Sequence, residues 1–480
     1  MSSTRFPPGP PGHWLFGNLR EFRRDMLAFY TRCQREYGDV VSYRVGPRRH
    51  ILLNDPDLIE EVLVAQNRNF IKHYAFRLLR PVLGNGVLLS DGDFWLRQRR
   101  LMQPAFGRRQ IDGFAPIIVE LTARLLDTWR DGQTRDVHED MTKLALDIVS
   151  KTLLDVQAGD KSAEVSRAVD GIMQDFNSRF QSALPLPFWL PAPRNRRLAA
   201  HVRLLDGVIH GIIQQRRSDT RERGDLLSLL MRARDEEDQT GMTDAQLRDE
   251  AMNLFLAGHE TTANLLSWTW YLLATHPEVE RRLLSELAGV LAGRLPTAAD
   301  VPKLHYTEQV VLETLRLYPP AYAMGREALG DCMLGGCRIH RGMTVILSQW
   351  VMHRHPKYFE RPDEFDPDRW RSRSEADGES GKADGHDELL KRLPKYAYFP
   401  FGGGPRICIG NSFAMLEAML AVATVIPRYG FKLAAQPPVE TWPSVTLRPR
   451  YGIHVVVRSR AAGLDARQQP TPQSATANRG

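Results

Sequence analysis

A glycine-rich loop around one cysteine constrains this chain more than any other segment. Residues 399–410 read Phe-Pro-Phe-Gly-Gly-Gly-Pro-Arg-Ile-Cys-Ile-Gly, and a helical run rich in Ala, Leu and Met follows. Gly402 and Gly404 permit backbone angles that other residues avoid, and Gly410 lets the backbone approach closely. Cys408 therefore lies just before a helix N-terminus, where free amides and the helix dipole stabilise an anion. The loop predicts a thiolate of lowered pKa that is suited to be an axial iron ligand.

Other glycine-rich loops bind nucleotides, but their patterns do not fit this one. A dinucleotide loop needs Gly-x-Gly-x-x-Gly, whereas Ile407 stands where the third glycine belongs. A phosphate loop needs Gly-Lys followed by Ser or Thr, which this loop lacks. A buried structural cysteine would not require so many neighbouring glycines. A nucleophilic cysteine with a histidine partner stays open as an alternative.

The longest helical pattern begins at Thr243 and runs to the pair His276-Pro277. Thr243 and Gln246 fit a capping box, in which the two side chains satisfy amides at the helix start. About 32 residues, at a rise of about 1.5 Å each, predict a helix roughly 48 Å long. The pattern is apolar on nearly all sides, which indicates burial. The polar residues at 257–262, in its centre, therefore require a functional reason.

Composition and charge exclude several classes of protein. Of the 480 residues, 42% are hydrophobic and 25% are charged, which excludes a fibrous or wholly disordered chain. The net charge of +7 is mild; it favours an acidic partner or substrate and does not by itself indicate nucleic acid. Four cysteines without a Cys-x-x-Cys spacing favour a reducing compartment. Because neither a secretory signal nor an apolar run of about 18 residues is present, we expect a cytoplasmic protein without a membrane span.

The ends of the chain and one insertion differ from the rest in composition. Residues 1–17 are rich in Pro and Gly and predict an extended surface segment. Residues 371–388 predict a flexible polar insertion, and residues 461–480 predict a disordered tail. Alternating and β-branched residues predict a hairpin at 40–54 and a terminal hairpin at 445–458.

The segment from Phe401 to Gly410 resembles the cysteine-ligand signature of the cytochrome P450 family, Phe-Gly-x-Gly-x-Arg-x-Cys-x-Gly, at every fixed position. The resemblance covers about residues 7–460. It implies a mainly α fold with a smaller β-rich portion, in which a long central helix lies over a haem. Residues 18–460 would form a single haem domain, similar to those of the soluble bacterial members.

Two charged elements resemble the family independently of the loop. Glu313 and Arg316 match its Glu-x-x-Arg element, 95 residues before the cysteine. Residues 365–370 resemble its Pro-x-Arg element, so Arg369 would complete a network with the pair. Buried charges persist only when they are paired and hydrogen-bonded. We expect this trio to be structural and to lock the layer that holds the cysteine loop.

The resemblance implies a haem b whose iron is bound by Cys408. Trp95 and Arg99 lie one helical turn apart, a spacing that the family uses to reach the haem propionates, and such buried carboxylates need fixed donors. The candidate cofactor-binding residues are Trp95, Arg99, Arg326, Phe401, Arg406, Cys408 and Gly410. A separate basic face for an acidic electron donor would comprise Arg97, Arg100, Arg108, Arg109 and Lys395. An ordinary solvated helix face is the alternative for that second group.

The centre of the long helix, Ala257 to Thr262, resembles the family's Ala/Gly-Gly-x-Asp/Glu-Thr element. Gly258 would leave room over the iron, Thr261 would hydrogen-bond dioxygen, and Glu260 would relay protons from solvent. Glu260 and Thr261 are therefore the candidate catalytic residues. The alternative for Thr261 is a hydroxyl that merely hydrogen-bonds its own helix.

Together these residues predict a haem-thiolate monooxygenase that inserts one oxygen atom from O2 into an apolar fatty acid or terpenoid-like molecule. Electrons would come from a separate ferredoxin or flavodoxin with its reductase, and from NAD(P)H only indirectly. A peroxide-driven or isomerase-type haem-thiolate enzyme is the first alternative, and a non-catalytic haem sensor or carrier is the second. Lys72, Arg77 and Arg179 are candidates for anchoring a substrate carboxylate.

Overall fold

The computed structural model describes residues 6–155, 160–181, 187–218, 223–371 and 392–460. Nearly all of the predicted insertion at 371–388, and the whole predicted tail at 461–480, lie outside these ranges. Within them the chain is mostly helical with smaller sheets, which confirms the predicted fold class. None of the described helices combines the length and the apolar character needed to span a membrane.

The α-helices of the described residues are numbered in chain order. The first nine are α1 (Leu19–Arg24), α2 (Met26–Tyr37), α3 (Pro56–Glu60), α4 (Tyr74–Arg77), α5 (Arg80–Leu83), α6 (Gly92–Met102), α7 (Arg108–Asp112), α8 (Ala115–Leu126) and α9 (Val137–Leu154). They are followed by α10 (Asp160–Gln181), α11 (Pro193–Ser218), α12 (Leu226–Arg232), α13 (Asp244–Thr275), α14 (Pro277–Leu291), α15 (His305–Leu317), α16 (Gln349–Met352) and α17 (Asn411–Val425).

The strands are likewise numbered in chain order. They are β1 (Val40–Val45), β2 (Arg48–Leu53), β3 (Phe70–Lys72), β4 (Thr134–Asp136), β5 (Met324–Ala328), β6 (Cys332–Leu334), β7 (Cys337–Ile339), β8 (Thr344–Leu347), β9 (Tyr429–Leu433), β10 (Thr441–Pro443), β11 (Leu447–Pro449) and β12 (His454–Ser459). The largest sheet has the order β1-β2-β8-β5-β3, and the smaller ones are β4-β12-β9, β10-β11 and β6-β7.

The predicted hairpin at 40–54 is confirmed as β1 and β2. Val45 pairs with Arg48 across a turn in which Gly46 has a φ of +59°, a conformation that suits glycine. The N-terminal segment lies along the outer strand of this hairpin, because the Ser42 amide donates to the Pro8 carbonyl at 2.9 Å.

The long central helix is α13, and its predicted capping box is confirmed. The Thr243 side chain accepts from the Gln246 amide at 3.2 Å, and the Gln246 side chain accepts from the Thr243 amide at 2.9 Å. Most side chains of α13 are buried, and α9 packs along it. The helix therefore crosses the core of the molecule and ends before Pro277.

The predicted terminal hairpin at 445–458 is wrong. Strand β11 pairs with β10, whereas β12 pairs with β9 and β4. Between β11 and β12, Gly452 has a φ of +77°, and the Asp136 carboxylate accepts from the Ile453 amide at 3.0 Å. This contact directs the chain toward β4. The residue pattern therefore indicated strands but not their partners.

The predicted network of Glu313, Arg316 and Arg369 is confirmed. Glu313 and Arg316 are completely buried, and the guanidinium donates to both carboxylate oxygens at 2.8 Å. Arg369 Nε lies 3.4 Å from the same carboxylate, and Trp370 Nε1 donates to it at 2.9 Å. The buried charges are thus paired and hydrogen-bonded from several sides.

This network reaches the cysteine loop through His353. Arg316 donates to the His353 carbonyl at 2.9 Å, and the His353 ring accepts from the Phe399 amide at 3.0 Å. Burial, together with the positive charge of Arg316, holds the pKa of His353 well below its usual value, so the ring stays neutral and accepts this bond. The network therefore fixes the first residue of the loop.

Replacing Arg316 by alanine leaves the Glu313 carboxylate buried without its main partner. We expect the free energy of unfolding to fall by about 3–5 kcal/mol, read from the shift of the urea midpoint. The control variant is Arg124→Ala, which breaks an exposed ion pair with Glu120 and should cost at most about 1 kcal/mol. Similar losses in the two variants would contradict the role of the network.

Candidate active site

The cysteine loop is closed by a backbone hydrogen bond. The Cys408 amide donates to the Phe401 carbonyl at 2.9 Å. The conformations predicted for two glycines are confirmed, because Gly402 has a φ of +74° and Gly404 a φ of +64°. A Cβ atom at Gly404 would lie 2.1 Å from the carbonyl oxygen of Leu63. The loop can therefore pack against its neighbour only with glycine at that position.

The Cys408 side chain is accessible, but protein surrounds it closely enough to change the pKa of its thiol. Burial raises this pKa, whereas the Gly410 amide, Arg99 and Lys72 lower it by smaller amounts. The predicted net lowering by the helix start is therefore wrong for the protein by itself, because desolvation outweighs the amide. A Cβ atom at Gly410 would lie 4.0 Å from the sulfur, so the backbone does approach closely there.

A group of three cations lies near the sulfur. Lys72 of β3 and Arg326 of β5 are cross-strand partners, so their side chains leave the same face of the sheet, and Arg406 of the loop adjoins them. Burial and the neighbouring positive charges lower the pKa of Lys72 to about 7 and that of Arg326 to about 10. Asp91 pairs with Arg406 at 2.7 Å. Its single charge leaves the group with a surplus of positive charge.

The residues predicted from α6 lie against the cysteine loop. The Arg406 guanidinium stacks over the Trp95 ring, 4.3 Å from its centre, and donates to the Ser90 carbonyl at 3.0 Å. Arg99 donates to the Ile407 carbonyl at 2.9 Å, next to the cysteine. The structure thus brings Trp95, Arg99 and Arg406 together at the loop, where both guanidinium groups already donate to protein atoms.

The residues around Cys408 fit a haem better than a bare metal ion. Among the described residues, no group of three or more His, Cys, Asp or Glu side chains could hold a metal ion. A metal on Cys408 would therefore have one protein ligand, and a porphyrin supplies its own ring of nitrogen ligands. Its propionate carboxylates need cationic partners, which Lys72 and Arg326 offer.

The middle of α13 has an accessible stripe although the helix crosses the core. Ala257 is exposed, and Gly258 and Thr261 on the same side are half-buried. The Thr261 hydroxyl donates to the Ala257 carbonyl at 2.8 Å, which is the bond proposed by the simpler alternative for this residue. Its oxygen can still accept a hydrogen bond from the accessible side.

Glu260, the neighbour of Thr261, is buried beside Arg448 of β11. Arg448 Nη1 lies 3.7 Å from Glu260 Oε1, and the Thr446 side chain also favours the ionised carboxylate. Burial raises the pKa of Glu260, and the charge of Arg448 opposes that rise. A carboxyl in such surroundings can exchange protons closer to neutral pH than an exposed one.

Three residues near the site were not predicted in these roles. The place of Lys72 depends on the pairing of β3 with β5, and a strand of three residues carries too little pattern to predict it. Arg448 reaches Glu260 from a distant part of the chain. Glu417 of α17 hydrogen-bonds Thr262, and burial raises its pKa well above the usual value. The sequence did offer one sign of Glu417, because it is the only acidic residue in the apolar helix α17.

The predicted basic face is largely neutralised. Arg100 pairs with the buried Asp235 at 3.1 Å, and Arg97 lies 3.8 Å from Asp238, both on the segment before α13. Lys395 lies 3.5 Å from an acid as well. These ion pairs favour the alternative interpretation, in which the arginines form an ordinary solvated helix face and not a docking face for an electron donor.

The chain is similar in sequence to known proteins over most of its length. The sequence model of the family described as "Cytochrome P450" matches residues 7–456. Cyclooctat-9-en-7-ol 5-monooxygenase of Streptomyces melanosporofaciens is 33% identical, over 86% of this chain and 87% of its own. Pentalenene oxygenase of Streptomyces avermitilis is also 33% identical, over 92% of this chain and 95% of its own.

A crystal structure of the cytochrome P450DA heme domain agrees in fold. It matches with a TM-score of 0.85 at 29% identity, and the match covers 95% of this chain and 98% of that one. The cysteine loop, the buried charge network, the central helix and these matches together show that the chain belongs to the cytochrome P450 family.

Proposed function

We propose that this cytochrome P450 monooxygenase inserts one oxygen atom from dioxygen into an apolar, terpenoid-like substrate. Family membership implies a haem iron, the use of dioxygen and a supply of electrons from redox partners. We propose a ferredoxin or a flavodoxin with its reductase as the immediate source, and NAD(P)H as the indirect one. The observation that carries the proposal is that Cys408 is accessible in its glycine-rich loop and that the stripe around Thr261 is accessible on a helix that is otherwise mostly buried.

The proposed cofactor is haem b, with Cys408 as the axial ligand of its iron. The amide of Gly410 would stabilise the thiolate, and Lys72 and Arg326 would bind the propionates, whose negative charge offsets the surplus positive charge. When bound, the haem supplies the redox chemistry that activates dioxygen. The remaining residues of the proposed haem site are Trp95, Arg99, Phe401 and Arg406.

Glu260 and Thr261 would deliver protons on the accessible side of α13. Cleavage of dioxygen with insertion of one atom leaves the other atom to become water, which takes up two protons. Glu260 would hold a proton because burial raises its pKa. Thr261 would pass it on, since a hydroxyl both donates and accepts. This acid–alcohol pair favours the dioxygen reaction over a peroxide-driven or isomerase-type reaction, which needs no such relay, and over a carrier without turnover.

The contacts of three cations favour a terpenoid-like substrate over a fatty acid. Arg77 pairs with Glu327 at 2.5 Å, and Arg179 pairs with Asp175. Lys72 lies with the cations near the sulfur. A fatty acid carboxylate would therefore have to compete for each of these candidate anchors. Two relatives bear names that specify cyclooctat-9-en-7-ol and pentalenene, neither of which is named as a carboxylic acid.

The proposed reaction is tested by mass spectrometry of products from a panel of terpenoid hydrocarbons, terpenoid alcohols and fatty acids. The purified protein is supplied with a surrogate ferredoxin, its reductase and NAD(P)H. We expect singly oxygenated terpenoid products that carry label from ¹⁸O2. Products from fatty acids alone, or turnover with peroxide but not with dioxygen and reductant, would contradict the proposal.

The hydroxyl of Thr261 is tested by the substitution Thr261→Ala. We expect the product formed per NAD(P)H consumed to fall about tenfold or more, with reduced oxygen species released instead, because the proton relay loses its last member. The matched control is Thr275→Ala, since Thr275 also donates to a carbonyl of α13 but near the end of the helix. Equal coupling in both variants would refute the relay.

The fit of the cysteine loop is tested by Gly404→Ala. An added methyl group would collide with the Leu63 carbonyl and would also hold a strained positive φ, so we expect haem content after purification to fall severalfold. The control is Gly132→Ala, where φ is +72° but a Cβ atom would meet nothing within 4 Å. Normal haem content in Gly404→Ala would show that the close approach is dispensable.

The charge beside Glu260 is tested by Arg448→Gln. Arg448 favours the ionised carboxylate, so its removal raises the pKa of Glu260 further and keeps the acid protonated to higher pH. We expect the alkaline limb of the coupling-versus-pH profile to move upward. Arg450→Gln, which breaks an exposed pair with Glu440, is the control and should leave the profile in place. A downward shift in Arg448→Gln would contradict the assignment.

A further inference from the structure

A short turn near the N-terminus displays three large apolar side chains to solvent. His13 and Gly17 bond to each other across the turn at 2.9 and 2.7 Å. At its tip, Trp14, Leu15 and Phe16 are 78%, 50% and 53% exposed. Nowhere else in the described part of the chain are large apolar residues exposed at three consecutive positions. Contiguous exposed apolar surface usually marks an interaction site.

The turn is fixed, so this exposure is not the result of a loose segment. The His13 ring accepts from the Leu15 and Phe16 amides at 3.2 and 3.4 Å and stacks on the Phe16 ring. Gly17 lies so close to β1 that a Cβ atom there would be 2.5 Å from the Arg44 carbonyl oxygen. The three apolar side chains are therefore presented on a rigid support.

A cationic side chain adjoins the tip on the side of the β1–β2 hairpin. Arg44 donates to the Trp14 carbonyl at 2.6 Å. The Phe16 carbonyl accepts from the Gly46 amide at 3.0 Å, which places the tip beside the turn that precedes the exposed Arg48. Arg44 therefore adjoins the apolar tip on this side, whereas Arg48 turns away and stacks over the Tyr74 ring, 4.0 Å from its centre.

Helix α1, which directly follows the turn, adds further positive charge. Arg20 and Arg24 are exposed, and neither has an ion-pair partner among the residues that the structure describes. The nearby acids are used elsewhere, because Glu21 pairs with Arg32 at 2.7 Å and Asp25 caps the start of α2. The surroundings of the tip are thus positively charged.

We propose that the tip formed by Trp14, Leu15 and Phe16 attaches the protein peripherally to a bilayer that contains anionic lipid. The apolar side chains would enter the boundary between headgroups and acyl chains, and the arginines would bind lipid phosphates. A second copy fits less well, because three side chains cover far less than the roughly 1,200 Å² of a stable interface and like charges would face each other. The attachment needs no turnover and is independent of the proposed function.

The test is co-sedimentation of the full-length haem-loaded protein with vesicles. We expect binding to vesicles of phosphatidylcholine and phosphatidylglycerol, much weaker binding to phosphatidylcholine alone, and a loss of binding as salt is raised. The double variant Trp14→Ser/Phe16→Ser should lower the partition coefficient about tenfold or more. The variant Arg20→Gln/Arg24→Gln should weaken binding to the anionic vesicles alone.

The matched control is Leu295→Ser/Met333→Ser, which removes two apolar side chains that are 51% and 53% exposed elsewhere and should leave binding unchanged. An unaltered visible spectrum and melting temperature show that each variant is folded. Absence of binding to anionic vesicles, or equal binding by the tip variant and the parent protein, would overturn the proposal. A dimer in sedimentation velocity that the tip variant abolishes, without vesicle binding, would also overturn it and assign the tip to a second copy.

Discussion

The ion pair between Glu313 and Arg316 is the interaction on which the cysteine loop depends. Two charges that are fully removed from water persist only if surrounding groups complete their hydrogen bonds. The Arg316 guanidinium therefore donates to the carbonyl groups of residues 353, 362 and 364, which are distant from it in sequence. Through His353 the same side chain determines where the loop begins at Phe399. The position of the Cys408 sulfur thus depends on the buried hydrogen-bond network of Glu313, Arg316 and His353.

A second constraint is the uncompensated positive charge beside that sulfur. Lys72 and Arg326 face each other across two short strands, and burial together with the charge of Arg406 lowers the pKa of both. The proposed haem, through its propionates, would offset this positive charge and would stabilise the folded state by binding to it. The accessible stripe around Thr261 interrupts a helix whose side chains are otherwise mostly buried. The positive charge beside Cys408 and the accessible stripe of α13 therefore both fit the proposed haem.

The features that were predicted correctly from the residue pattern alone depend on neighbours within a few residues. The capping box at Thr243 and the glycine conformations before Cys408 are of this kind, whereas the distant contact of Arg369 with Glu313 was predicted from the family resemblance. The parts that were missed depend on distant partners, such as the pairing of β12 with β9 and the place of Lys72 beside Arg326. The thiol pKa was mispredicted for the same reason, since the helix start is local but desolvation comes from the whole surrounding fold. Substrate identity is set by side chains from many segments and was not readable from any one of them.

The central claim is that the Cys408 thiolate binds the iron of a haem, and the absorption spectrum of the reduced protein under carbon monoxide tests it most directly. We predict the strongly red-shifted band of thiolate ligation in the parent protein and in Cys332→Ser, which alters a cysteine outside the loop. The band should be lost in Cys408→Ser. An unshifted band in the parent protein, or the same red-shifted band after Cys408→Ser, would contradict the account.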